Sequence, residues 1–462
     1  MTTNPIDDNT AMATYRYASF TLLAASLLFP SCSQEESERV DAGDSVEIEF
    51  RASLPLVATR AVETTSSTLR QFSVSGFVVE DSSDETYFLE KTFSKNEATG
   101  RYVSADKSCR WPNNNDMIRF LAMSPSCSEM WVYLGQSATD FTFSHEGGHR
   151  ISDFRIAGDI ASQIDFITAT ATGRLIEDSE RGVSLDFKHQ LSRIALKAWG
   201  DSKSYDIEIA GVRLGGVGVS GDFLFATVPD DAQGGEWQSV GKGSVEYVFR
   251  AGDTIVTLDR SDSAPRSAEK AVSIMGSNVG GGDGYANSAM LIPASSSAWN
   301  PTGNAGNGDD HADGTYFSVL MRVYDTTPYG NNGETIYPYA DNPEEMETIY
   351  LAVDRASGKS VRQRVYRQGE EYFTDADHTV PYDPEANEAE VKAFGWAALP
   401  VAVQWKPGYI YTYTLDYSYG IGLIAPIDPL PGEPIISDRI IMDVDVKEWK
   451  EGTKTQVTVP RK

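Results

Sequence analysis

Short stretches in which apolar and polar residues alternate recur along almost the whole chain after residue 45, and they constrain its fold more than any other feature. Val46-Glu47-Ile48-Glu49-Phe50 places every second side chain on one face, as a strand with one buried side requires. Similar runs follow at Phe72–Val79, Ile118–Met123, Trp131–Leu134, Asp165–Ile167, Val183–Phe187, Tyr205–Ile209 and Val245–Phe249. Further ones occur at Tyr409–Leu415 and Arg439–Val446. Most are short, rich in β-branched and aromatic residues, and bounded by Gly, Asn, Asp or Pro. Helical periodicity is nearly absent, and only Gln190–Trp199 could form a turn or two of helix. Many short strands punctuated by turn signals predict antiparallel β-sandwiches.

A chain of 462 residues is long for one domain. We place a boundary near Gly200-Asp201-Ser202-Lys203, between an N-terminal sandwich at 46–200 and a C-terminal one at 201–462. The second half carries long irregular stretches, Gly-rich at Asn278–Asn287, Asn/Gly/Asp-rich at Asn300–Gly314 and acidic at Asp375–Glu390. Loops of that length read as insertions on a sandwich scaffold. The formal charge of −28 repels phosphate backbones and anionic headgroups, which argues against a nucleic-acid partner.

The apolar run Phe20–Phe29 is too short to cross a hydrocarbon core of ~30 Å, and it matches the hydrophobic part of an export signal. The basic residue expected before such a run is Arg16, and Met12 offers a more compact start. Residues 1–31 are therefore expected to be a signal peptide. Ser31-Cys32 behind the run resembles a bacterial lipobox, which implies cleavage before Cys32 and lipid attachment to its sulfur. An acidic tether at 32–45 would follow. Cys109 and Cys127 are the remaining cysteines; they could pair, closing a loop of roughly twenty residues worth about 3 kcal/mol, or stay free.

Two motifs suggest chemistry that their surroundings do not support. His145-Glu146-Gly147-Gly148-His149 has the zinc-protease spacing, which works only on a helix that stacks both histidines on one face. Adjacent glycines cost a helix about 2 kcal/mol, and the flanks alternate like strands, so a hairpin turn is expected. Gly216-Val217-Gly218-Val219-Ser220-Gly221 has the dinucleotide-loop spacing, but strand-like Asp222-Phe223-Leu224-Phe225 follows instead of a helix, so a glycine-rich turn is expected. No nucleophile elbow accompanies the five histidines. Nothing points to catalysis or a cofactor. Trp237, Trp299, Trp396 and Trp405 could stack on sugars, or could be core or interface residues.

Asp165-Phe166-Ile167-Thr168-Ala169 followed by the stretch from Val183 to Ala198, with Phe187, His189, Leu191, Ser192, Arg193 and Ile194, resembles the fimbrillin family of Bacteroidetes surface proteins. Thr59-Arg60-Ala61, Met290-Leu291-Ile292-Pro293, Gly408–Tyr413 and Val444–Trp449 extend the resemblance over nearly the whole chain. It implies two tandem transthyretin-like antiparallel β-sandwich domains in an all-β chain, acting as a pilus subunit or a tip or accessory adhesin. It also implies a lipid anchor in the outer membrane, other pilus subunits as partners, and a host or bacterial surface ligand. In the family a protease cuts after an arginine behind the first strand, here Arg60. The removable strand is then Val46–Val57, with Val46, Ile48 and Phe50 facing the groove. The candidate donor strand is the C-terminal segment with Thr453, Thr455, Val457 and Val459. His189 is expected to be a hydrogen-bonded structural residue. The reading from a different class is a monomeric, surface-tethered glycan-binding lipoprotein.

Overall fold

The structure is a computed structural model that describes residues 46–54, 68–79, 84–126, 142–144, 149–226, 234–250, 253–276, 288–301, 314–325, 335–337, 347–354, 359–368, 371–373, 394–426 and 432–449. Positions 129, 377, 379 and 381 are also described, and positions 260, 262, 433 and 436–438 are not. Most of the alternating runs among the described residues form strands, and the chain is all-β, as the period-2 pattern requires.

An eight-stranded sheet is built from Glu49–Ser53 (β1), Gln71–Val79 (β2), Asp84–Lys95 (β3), Tyr102–Ser104 (β4), Ile118–Ser124 (β5), Ile167–Gly173 (β8), Val183–Asp186 (β9) and Lys188–His189 (β10). Its order is β10-β8-β5-β2-β3-β4-β1-β9. The sheet rolls over so that β9, at one end, packs against β8, next to the other. The roll encloses a phenylalanine-rich core of Phe50, Phe72, Phe93, Phe120 and Phe187, with Trp111 beside it.

A nine-stranded sheet contains Thr142–Ser144 (β6), Arg150–Arg155 (β7), Tyr205–Phe225 (β12), Gly235–Val248 (β13), Val256–Leu258 (β14), Tyr316–Asp325 (β18), Thr335–Tyr337 (β19), Gly395–Pro400 (β23) and Leu423–Ile424 (β26). It faces a five-stranded sheet of Ser192–Trp199 (β11), Val272–Ser273 (β15), Ala289–Leu291 (β16), Tyr409–Asp416 (β25) and Ile441–Glu448 (β27). Ile194, Leu196, Tyr411, Tyr413 and Leu415 of the smaller sheet meet Ile207, Val212, Val245, Phe317 and Val319 of the larger, which makes a sandwich core. Ser295–Ser296 (β17) pairs with Val403–Gln404 (β24), and Glu347–Asp354 (β20), Lys359–Gln368 (β21) and Glu371–Phe373 (β22) form a separate three-stranded sheet.

Three local expectations change. Residues 192–199 form β11 rather than helix, because the strand runs parallel to β25 and is buried on both faces, which produces a continuous apolar run. Gly216–Gly221 lies inside β12 rather than in a turn. The register against β13 shifts at Gly215/Val217 and Gly218/Ser220, and Gly216 takes φ +65° with the Gly314 carbonyl where a Cβ would sit. The expectation of purely antiparallel sheets meets two parallel pairs, β1 with β9 and β11 with β25. The strands that flank the HEGGH motif pair antiparallel, with Ser144 opposite Arg150, while the turn expected at 145–148 lies outside the described residues. Hydrogen bonding also crosses residue 200: β7 pairs with β12, and β11 with β25. The runs at 131–134, 278–287 and 302–313 lie outside the described residues.

Candidate functional site: the seat of the first strand

The segment from Val46 to Leu54 is held along both of its edges. On one side Ile48 N–H donates to the Cys109 carbonyl at 3.0 Å and Trp111 N–H donates to the Val46 carbonyl at 2.9 Å. Glu49 and Phe50 continue this ladder antiparallel to Val103 and Tyr102. On the other side Phe50 to Ser53 run parallel to Val183 to Asp186, and Phe187 N–H donates to the Ser53 carbonyl at 2.9 Å. β1 is thus an interior strand, laid between β4 and β9.

Its side chains fill the rolled core. Ile48 and Phe50 are fully buried, while Val46 is 44% exposed, so the inward face starts at Ile48. Phe50 meets Phe72, Phe93 and Phe120 edge-on, with ring centroids 6.2, 4.7 and 5.1 Å away. Such contacts add about 1 kcal/mol each beyond the area they bury. Glu49, on the opposite face, accepts from Arg101 Nη1 at 2.5 Å, and Arg101 Nη2 reaches the Glu180 carbonyl at 2.6 Å. Gly182 (φ +74°) lets the chain pass close to the strand, since a Cβ there would lie 3.1 Å from the Glu49 carbonyl oxygen. Ser53 Oγ closes the far end by donating to Asp186 Oδ1 at 3.1 Å. Beside the seat, burial pushes the Cys109 thiol up to about 11, and Cys109 is a free thiol. Cys127 lies outside the described residues, as do Cys32 and Arg60.

The C-terminal strand is held differently. Among the described residues β27 pairs along one edge only, with β25. At its end Trp449 is buried, its N–H donating to the Gly408 carbonyl at 2.6 Å. The indole stacks on His189 at 3.9 Å with the rings 1° from parallel, and the Arg193 guanidinium sits 5.7 Å from the ring centroid. His189 Nδ1 lies 2.8 Å from Asp165 Oδ2, and Arg193 Nε donates to Ser288 Oγ at 2.5 Å. Asp165, His189, Arg193 and Trp449, far apart in the sequence, thus gather into one buried cluster, and His189 is hydrogen-bonded as expected. Thr453, Thr455, Val457 and Val459 lie outside the described residues.

The other candidates separate from these. Trp299, Trp396 and Trp405 are buried in sheet cores, and Trp237 is half-buried with its Nε1 donating to the Gln190 carbonyl, so the sugar-stacking role finds no open indole among them. His149 faces Asp84 at 3.2 Å, and Asp84 also takes Arg119. Among the described residues no group of His, Cys, Asp and Glu is arranged to hold a metal. An open cavity of about 450 Å³ is lined by Asp159, Arg213, Ser244, Glu246 and Arg250. Its charges are internally matched: Arg213 pairs with Glu246 at 2.5 Å and Arg250 pairs with Asp159. Sequence reasoning missed Arg101, Gly182 and the Phe72–Phe93–Phe120 lining, whose roles depend on which strands become neighbours.

A fimbrillin-like family model matches residues 59–306. A fimbrial protein from Bacteroides vulgatus is 13% identical over 87% of this chain and 99% of its own, with a TM-score of 0.45. A protein assigned to cell adhesion from Bacteroides ovatus is 14% identical over 88% and 98%, with a TM-score of 0.37. Another from Parabacteroides distasonis is 12% identical over 88% and 100%, with a TM-score of 0.38. No curated protein matches. With the model matched over more than half of its length, the chain belongs to the fimbrillin-like family.

Proposed function

We propose that this chain is a subunit of a surface fimbrium, a pilus subunit or a tip or accessory adhesin, that joins its neighbours by β-strand addition once its first strand is removed. The observation that carries this reading is the seating of β1 between β4 and β9. A cut between β1 and β2 would leave that strand held only by non-covalent contacts. Its departure would expose two backbone ladders and an apolar slot, the template onto which a strand from another chain adds. The family match begins at residue 59, beyond β1 and one residue ahead of Arg60. Arg60 is the proposed cleavage point, Cys32 the lipid attachment that tethers the precursor to the outer membrane, and the segment with Thr453, Thr455, Val457 and Val459 the strand donated to a neighbour. The division into bodies at 46–200 and 201–462 belongs to the same proposal, with β7 and β11 lent to the C-terminal sheets.

The test is the state of the chain in fimbriae sheared from cells. The expected mature N-terminus is Ala61, and Arg60→Ala should leave the full precursor in the membrane fraction. Sheared fimbriae that contain the chain with β1 still attached, or assembly unchanged by the substitution, would sink the reading.

A further inference from the structure

The slot that β1 fills makes side-chain demands that the C-terminal tail of this chain does not meet. We infer that the slot receives a strand from a different protein rather than from a second copy of this chain. This rests on the strand-addition reading above and specifies its partner.

Three consecutive positions define the demand. At the first, Ile48 is fully buried and wants an aliphatic side chain. At the second, Glu49 meets Arg101, whose guanidinium is fixed in place by the Glu180 carbonyl. At the third, Phe50 reaches three aromatic rings edge-on. A smaller residue there leaves those ring edges without contacts in a core that packs closely. The partner strand therefore runs aliphatic, acidic, aromatic.

The tail after Trp449 reads Lys450-Glu451-Gly452-Thr453-Lys454-Thr455-Gln456-Val457-Thr458-Val459-Pro460. It holds no aromatic residue in any register. If Thr453, Thr455, Val457 or Val459 took the place of Phe50, the residue opposite Arg101 would be Gly452, Lys454, Gln456 or Thr458, none of them acidic. With Val459 there, Pro460 would fall where Arg51 pairs with Ser184, and proline cannot donate to a ladder. The aromatic residue nearest the tail, Trp449, is already committed to the stack on His189. Slot and tail of this chain therefore belong to two different junctions, with a different subunit at each.

The experiment uses the full-length chain with a site for a sequence-specific protease in place of residues 58–61. After cutting, the β1 fragment stays seated and is challenged, in urea below the unfolding midpoint, with isotopically labelled peptides. These are residues 45–57, the same peptide with Glu49→Lys or Phe50→Val, and residues 451–462. Native mass spectrometry reads which peptide is bound. The 45–57 copy should exchange in, Phe50→Val should compete roughly thirtyfold worse, and residues 451–462 should compete no better than that variant. Exchange of residues 451–462 as readily as the 45–57 copy would overturn the inference while leaving strand addition intact. A 45–57 copy that never enters would instead overturn strand addition itself, and this inference with it.

Discussion

The two ends of the described chain are secured in opposite ways. β1 lies inside its sheet, bonded along both edges, with Phe50 at the centre of an aromatic core. Among the described residues β27 lies at the margin of its sheet, bonded along one edge, with Met442, Val444 and Val446 only partly buried and charged residues at alternate positions. Beyond that ladder it is anchored by its last described residue, Trp449, which stacks on His189 with the Arg193 guanidinium near its ring. An interior strand leaves a two-sided slot when it goes, whereas an edge strand can peel away and leave the remaining ladder one strand shorter. On the strand-addition reading proposed above, the two-sided slot is the acceptor and the donor lies beyond β27, and charges along an exposed edge also discourage indiscriminate pairing.

The comparison is most severely tested at Phe50. Phe50→Ala should cost about 4 kcal/mol in urea unfolding, because three ring contacts and a fully buried side chain are lost together; a loss under about 1 kcal/mol would mean that β1 is not part of the core. Trp449→Ala should cost about 3 kcal/mol and should speed amide exchange along β27 while leaving β1 protected; equal deprotection of both would show that the two ends are not independently held.

High pH probes the surroundings of both strands. Burial pushes Cys109, beside β1, up to about 11 and Tyr413, on the strand that carries β27, up to about 12. Both are acids with raised folded values, so their contribution is fully present below the unfolded values of about 8.5 and 10 and is lost as pH climbs through the folded ones. The urea midpoint should therefore fall as pH rises from about 9, and Cys109→Ala should flatten the first part of that fall. A midpoint unchanged up to pH ~11 would contradict the burial of these groups.

Smaller effects are expected at the margins. Val444→Ala, half-buried on the edge strand, should cost about 1 kcal/mol, and a cost matching that of Phe50→Ala would erase the distinction between the strands. Glu49→Gln should cost only about 0.5 kcal/mol, since its ion pair with Arg101 is part-exposed and screened by water. Its effect on stability should vanish in 1 M salt, which separates charge from packing at the seat.

Much of this was legible along the chain. Alternation marked β1, β2, β5, β9, β25 and β27, because a strand with one buried face imprints its period on the residues whatever its neighbours are. Ile48 and Phe50 were visible as inward positions for the same reason, and His189 as a structural residue from the motif around it. β11 was obscured because a strand buried on both faces loses its alternation. The bulged glycines of β12 resembled a turn because glycine at positive φ serves both uses.

The residues alone thus determined that the chain is all-β and that Ile48 and Phe50 face inward, whereas the exposure of Val46, expected to face the groove, came only from the structure. Pairing is long-range, so the tertiary structure decided that β1 lies between β4 and β9, parallel to one and antiparallel to the other. It also decided that Trp449 meets His189, some 260 residues earlier in the chain. Period-2 patterning states which face of a strand is buried; only the folded chain states against what, because backbone hydrogen bonds carry no record of which strand supplies the partner.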